Sequence, residues 1–117
     1  AQKLQKRASG VGFDFDTLKA ISLKLTEELD ELSCAIELGV TQEIESELGD
    51  VLFTVVNMAR HLKVDSEAAL RKSNRRFEAR VRTAEGDALA DGSRLGEENI
   101  QRLDARWQEA KRKERSR

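Results

Sequence analysis

From Leu18 to Ile36, the residues Leu18, Ile21, Leu25, Leu29, Leu32 and Ile36 fall on one side of a helical wheel. Ile44, Leu48, Val51, Val55, Met58 and Leu62 repeat the arrangement in the next segment. A turn of about 100° per residue is the helical period, whereas strands would need strict alternation. No proline interrupts either pattern anywhere in the 117 residues. Abundant Glu, Lys, Arg, Leu and Ala favour helix as well. The predicted fold class is all-α.

Punctuation divides the chain further. Residues 1–9 read as the end of a basic helix closed by Gly10 and Gly12, followed by a loop from Val11 to Asp16 bearing Phe13 and Phe15. Asp16 or Thr17 is placed to cap a helix running to about Leu38, where Gly39 ends it. Thr41 is placed to cap the next, to about Leu62, and Asp65 or Ser66 opens a third, to about Glu85. Gly86, Gly92 and Gly96 mark a flexible connection before a last helix from roughly Glu97 to Arg115. Four helices with short connections predict a bundle, in one domain covering 1–117.

Charge narrows the function. The formal net charge of −1 argues against a globally basic nucleic-acid binder. The charge is nevertheless segregated, acidic from Glu27 to Asp50 and basic from Arg71 to Arg82. Such a pairing suits a site for metal and phosphate together, although two solvated helix faces would look the same. Cys34 is the only cysteine, so no internal disulfide forms, and its apolar surroundings in sequence suggest a small core residue rather than a nucleophile. With no apolar run of membrane-spanning length and no signal-peptide pattern, the chain reads as soluble and cytoplasmic, without a membrane partner.

The chemistry is written beside the apolar stripes. Lys24, Glu28 and Glu31 run along the edge of the first, interleaved with Ile21 and Ala35; Glu43, Glu47, Asp50, Thr54 and His61 run along the second. Each helix thus sets two carboxylates, at i and i+3, against its own seam. If the seams pack together, Glu28, Glu31, Glu47 and Asp50 converge at the margin of the core, where their repulsion calls for a cation. Oxygen ligands without cysteine or paired histidines are the chemistry of Mg²⁺ or Mn²⁺. A di-iron site is excluded because it needs Glu-x-x-His pairs, and the only histidine, His61, has Met58 three residues before it. His61 is read as a structural group, or one that supports a ligand from outside, rather than as a ligand itself. Gly49, inside a helix, is easier to understand if a ligand or another backbone comes close.

In the following helix Leu70, Asn74, Phe77 and Val81 share one face, so Asn74 is expected to point inward, with Arg76 and Arg80 flanking it. Those guanidinium groups could grip phosphate oxygens or simply face solvent. Trp107 could plug the core or stack on a base. No phosphate-binding glycine loop and no side-chain nucleophile set is present, so water is the expected nucleophile.

These residues resemble the MazG family of nucleoside triphosphate pyrophosphohydrolases. Its carboxylate signature stands here as Glu27-Glu28-Leu29-Asp30-Glu31 and Glu47-Leu48-Gly49-Asp50. Val11-Gly12-Phe13-Asp14, Gly49-Asp50-Val51-Leu52-Phe53, Val56-Asn57-Met58-Ala59-Arg60-His61-Leu62, Lys72-Ser73-Asn74-Arg75-Arg76-Phe77-Glu78 and Trp107-Gln108-Glu109-Ala110-Lys111-Arg112 extend the likeness. Ser46 departs from it, standing where relatives usually carry glutamate. The resemblance implies a MazG-like four-helix bundle of the dimeric all-α type, and Mg²⁺-dependent cleavage of nucleoside triphosphates between the α- and β-phosphates. It implies metal on Glu28, Glu31, Glu47 and Asp50. It also implies nucleotide contacts from Lys24, Glu27, Glu28, Asp50, Asn74, Arg76, Phe77, Arg80 and Trp107, in a homodimer that cleans the nucleotide pool. Glu27, Glu28 and Lys24 are the candidate catalytic groups, with Glu27 or a free ligand oxygen as base. Two other readings remain at this stage: a catalytically silent nucleotide-binding or regulatory module, and a helical dimerisation domain.

Overall fold

In the computed structural model, which describes residues 1–12, 14–15 and 17–116, every regular element is helical. The elements are α1 (Gln2–Gly10), α2 (Leu18–Leu38), α3 (Thr41–His61), α4 (Ser66–Ala90), a 3₁₀ turn (Leu95–Glu97) and α5 (Ile100–Arg115). The expected loop residues Phe13 and Asp16 lie outside the described residues.

Local chemistry accounts for most boundaries. Thr17 Oγ1 accepts the Ala20 N–H at 3.1 Å and caps α2, while Gly39, at φ +74°, takes the left-handed turn that ends it. Thr41 is not a cap but the first residue of α3, since Val40 supplies the extended backbone before it. Asn99 caps α5 through the Arg102 N–H at 2.8 Å, so that helix starts later than Glu97, which belongs to the 3₁₀ turn. The largest departure is α4, which continues through Gly86 to Ala90. One interior glycine costs only about 1 kcal/mol, and Lys113 Nζ ties down Asp87 at 2.7 Å just beyond it. The reversal comes at Gly92, at φ +78°.

The chain divides into two compact units, Ala1–Glu67 and Ala68–Arg117. In the first, the short Gly39–Val40 connection folds α3 back on α2, and α1 packs on α3. Gln2 ties the start of α1 to the connection between α3 and α4: its Nε2 donates to the Val64 carbonyl at 2.9 Å and its Oε1 accepts the Ser66 N–H at 3.3 Å. The second unit holds Ala84, Ala88 and Ala110 as buried apolar residues. Arg106 joins Glu98 at 3.0 Å and Asp91 at 2.6 Å there, and Arg80 Nε meets Glu114 at 2.8 Å.

Burial inverts the expectation from the wheels. The buried line of α2 is Ile21, Glu28 and Ala35, and that of α3 contains Thr54 and Asn57. Within the chain, Glu28 alone of the four edge carboxylates is buried; Glu47 is half-buried, and Glu31 and Asp50 are exposed. Much of the leucine-rich seam faces out: Leu29, Ile36, Leu48 and Val55 are all exposed. Two helices bury only the strip along their mutual contact, and that strip is narrower than the apolar arc each one carries. Cys34 is likewise exposed rather than a core residue, because it lies off the Ile21–Ala35 line. On α4, Leu70 and Phe77 are 63% and 60% exposed and Asn74 is exposed too, so the face expected to point inward is open.

Candidate metal centre

Seven residues make two helical turns of about 3.6 residues each, so Ile21, Glu28 and Ala35 align on one strip of α2. Glu47 and Asp50, three apart on α3, face that strip. One carboxylate oxygen from each of Glu28, Glu47 and Asp50 lies within 4.8 Å of the others. Glu28 is only 4% exposed, and Glu47 is half-buried.

The hydrogen bonds single out the working atoms. Lys24 Nζ, one turn earlier on α2, holds Glu28 Oε1 at 2.7 Å. Glu28 Oε2 and Glu47 Oε2 are buried with no hydrogen-bond partner. Buried carboxylate oxygens left without a donor are costly, and a cation satisfies them without one. Desolvation, followed by the neighbouring Glu31, Asp50 and Glu28 carboxylates, pushes the Glu47 carboxyl up. The Glu28 carboxylate in turn raises the Lys24 ammonium, first through the hydrogen bond and then through charge. The donor set is all oxygen and anionic, which fits a hard divalent cation such as Mg²⁺ or Mn²⁺.

Around this core the other candidates separate. Glu31 is exposed and adjoins Glu47, outside the trio. Glu27 is exposed, with its carboxylate 4.0 Å from Lys24 Nζ. Thr54 Oγ1 donates back to the Asp50 carbonyl at 2.8 Å, occupying the turn below the site. A Cβ built on Gly49 would meet nothing within 4 Å, so no backbone of this chain approaches there. The family model for the "MazG nucleotide pyrophosphohydrolase domain" matches residues 16–83, more than half of the chain and all of these carboxylates.

The chain belongs to the MazG family.

MazG relatives match it along nearly all of its length. A nucleoside triphosphate pyrophosphohydrolase of Escherichia coli is 40% identical over 116 residues, 97% of this chain and 44% of that protein. The nucleoside triphosphate pyrophosphohydrolase/pyrophosphatase MazG of Thermotoga maritima is 42% identical over 111 residues, 95% of this chain and 42% of that protein. The chain thus spans less than half the length of the MazG relatives it matches.

In the second unit the aromatic and basic candidates engage one another. Phe77 and Trp107 have ring centroids 5.5 Å apart at a tilt of 51°, and the Arg80 guanidinium stands 5.5 Å from the Trp107 ring. Trp107 is half-buried and Arg76 exposed, while Arg80 keeps Glu114 ionised by lowering its pKa. His61 lies outside the carboxylate trio: its Nε2 is 2.9 Å from Asp14 Oδ1, beside an Arg60–Asp14 ion pair of 2.7 Å. In the sequence Asp14, Asn57 and Arg60 stand out only within the motif blocks, and Gln5 carries no signal beyond being, with Gln2, one of two uncharged amides in a basic segment. No helix among the described residues is long and apolar enough to cross a membrane.

Proposed function

We propose that the chain is the magnesium-binding catalytic domain of a cytoplasmic nucleoside triphosphate pyrophosphohydrolase, giving nucleoside monophosphate and pyrophosphate. The observation that carries this reading is the pair of buried, donorless oxygens on Glu28 and Glu47 beside Asp50, on a MazG family match. Glu28, Glu47 and Asp50 would hold the ion, with Glu31 at the exposed edge. Mg²⁺ held there supplies Lewis-acid polarisation of phosphate oxygens and a more acidic water. Lys24 holds one oxygen of Glu28 and aims the carboxylate. Glu27, exposed and next to Lys24, is the proposed base that takes the proton from the attacking water. The water oxygen bonds to Pα or to Pβ as the bridging P–O bond breaks, and the bridging oxygen leaves with pyrophosphate in the first case and with the monophosphate in the second. Asn74, Arg76, Phe77, Arg80 and Trp107 are proposed nucleotide contacts on the strength of the resemblance.

Assembly is part of the proposal. Leu29, Ile36, Leu48 and Val55 leave an apolar face uncovered on α2 and α3. A second copy of the same face would bury it, and we read the active species as a homodimer. House-cleaning of the nucleotide pool, by removal of surplus triphosphates, is the role that fits such a reaction.

The test is product analysis. ATP or dCTP incubated with the chain and Mg²⁺ should yield monophosphate and pyrophosphate, and excess chelator should stop the reaction. Diphosphate with orthophosphate would overturn the assigned bond. Tight Mg-nucleotide binding without single-turnover cleavage would make the chain a silent nucleotide-binding module instead.

A further inference from the structure

A cavity of about 620 Å³ opens in the first unit, with Leu4, Gln5, Phe15, Phe53, Asn57 and Arg60 in its lining. Its size is that of a small-molecule site. Phe15, Phe53 and Leu4 bring apolar surface, and all three are substantially exposed. Gln5 and Asn57 are the opposite, polar and only 5% and 7% exposed.

Their hydrogen bonds dictate what each can offer. Gln5 Nε2 donates to the Phe53 carbonyl at 2.8 Å. A carbonyl only accepts, so the amide cannot be turned the other way, and Gln5 presents its oxygen elsewhere. That oxygen, Oε1, is buried and unpartnered. It calls for a donor. Asn57 Oδ1 accepts Arg60 Nη2 at 2.8 Å and Nε at 3.2 Å, so what Asn57 has left for a ligand is its NH₂ group. Asn57 lies seven residues beyond Asp50 on α3, two turns along the same side and about 10.5 Å by helical rise. A nucleoside triphosphate spans a distance of that order between its base and its phosphates.

We propose that this cavity takes the nucleobase, and that Gln5 Oε1 selects bases with an exocyclic amino group over those that carry only carbonyls. The inference rests on the reading under Proposed function and adds a substrate class to it. Adenine, cytosine and guanine offer an amino donor to Gln5 and a ring nitrogen to Asn57, with flat faces for Phe15 and Phe53. Hypoxanthine and uracil would set a carbonyl oxygen against Gln5 Oε1, leaving two acceptors facing each other. The deaminated nucleotide is therefore the poor substrate.

The experiment compares kcat/KM for ATP with ITP, and for CTP with UTP, in Mg²⁺. The amino member of each pair should be favoured by at least about tenfold, the usual consequence of leaving a buried acceptor unpaired. Gln5→Met should bring both ratios close to one. Because Gln5 also holds the Phe53 carbonyl, the melting temperature of the variant is measured alongside. The comparison in the unaltered protein needs no variant and decides the matter if Gln5→Met does not fold. Equal hydrolysis of ATP and ITP overturns the inference while leaving the pyrophosphohydrolase reading in place. If neither is cleaved, that reading fails, and calorimetric binding of Mg-ATP against Mg-ITP decides the cavity: preference for ATP supports it and equal affinity overturns it.

Discussion

Lys24 occupies one oxygen of Glu28 at 2.7 Å, and the other, Oε2, is left buried with no donor against it. One carboxylate thus pairs with a cation on its own helix through one oxygen and keeps the other open toward α3. The division is geometric: residues i and i+4 on a helix meet, and the second oxygen points away from that contact.

The carboxylate trio should make the metal-free protein less stable than its charge-reduced variants. Glu47 has its folded pKa raised, so its stabilising contribution is present below the ordinary glutamate range and lost as pH rises through the folded value. At pH 7 it therefore opposes folding. Glu47→Gln should raise the melting temperature without metal, remove the Mg²⁺-induced rise, and lower turnover beyond the roughly 10–100-fold loss typical of residues one layer out from a metal. An unchanged Mg²⁺ response by scanning calorimetry would remove Glu47 from the site.

Lys24→Met tests the clamp. Without the ammonium, Glu28 becomes a buried carboxylate with neither oxygen paired, and the metal-free protein should melt lower. Mg²⁺ should then produce a larger rise in melting temperature than in the parent, because the ion relieves more repulsion. An equal or smaller rise would mean that Lys24 and the ion do not share Glu28.

Gly49→Ala separates folding from function. Open space surrounds the position, and alanine is favoured over glycine in a helix interior by about 1 kcal/mol. Chemical denaturation should show stabilisation of about that size. If substrate approaches the backbone beside Asp50, the same variant should raise KM, and steady-state kinetics with ATP reads this directly.

The uncovered apolar face should be an interface. Light scattering at micromolar concentration should give twice the chain mass, and Leu48→Glu, placing a charge on that face, should give one chain mass. A monomeric parent chain would exclude the homodimer.

Acid should dissolve the Asp14 cluster. Arg60 first, and then His61, hold the Asp14 carboxyl far below the usual aspartate range. A depressed folded pKa contributes stability that is complete above the unfolded value and fades as pH falls toward the folded one. The loss should begin near pH 4, around the ordinary aspartate pKa of about 3.9. Asp14→Asn should melt lower at pH 7 and show a flatter decline between pH 4 and pH 2 in urea titrations.

The residues by themselves determined the helices and the pairing of carboxylates along them. Helical periodicity without proline left no competing fold class, and Thr17, Gly39 and Asn99 mark ends through bonds made within a few residues. Carboxylates at i and i+3 on consecutive helices are equally local, so Glu28, Glu31, Glu47 and Asp50 could be named before any packing was known, while only packing separates Glu31 from the other three. Tertiary structure decided which side of each helix turned inward. A wheel places Glu28 beside a leucine seam without saying how wide a strip two helices bury, and the strip buried here runs through Ile21, Glu28 and Ala35. It also decided the partners of Gln5, whose bond to Phe53 joins α1 to α3 across 48 residues of chain. Long-range pairs of that kind leave no periodic trace, because each partner's own neighbours are free to be anything that suits its helix.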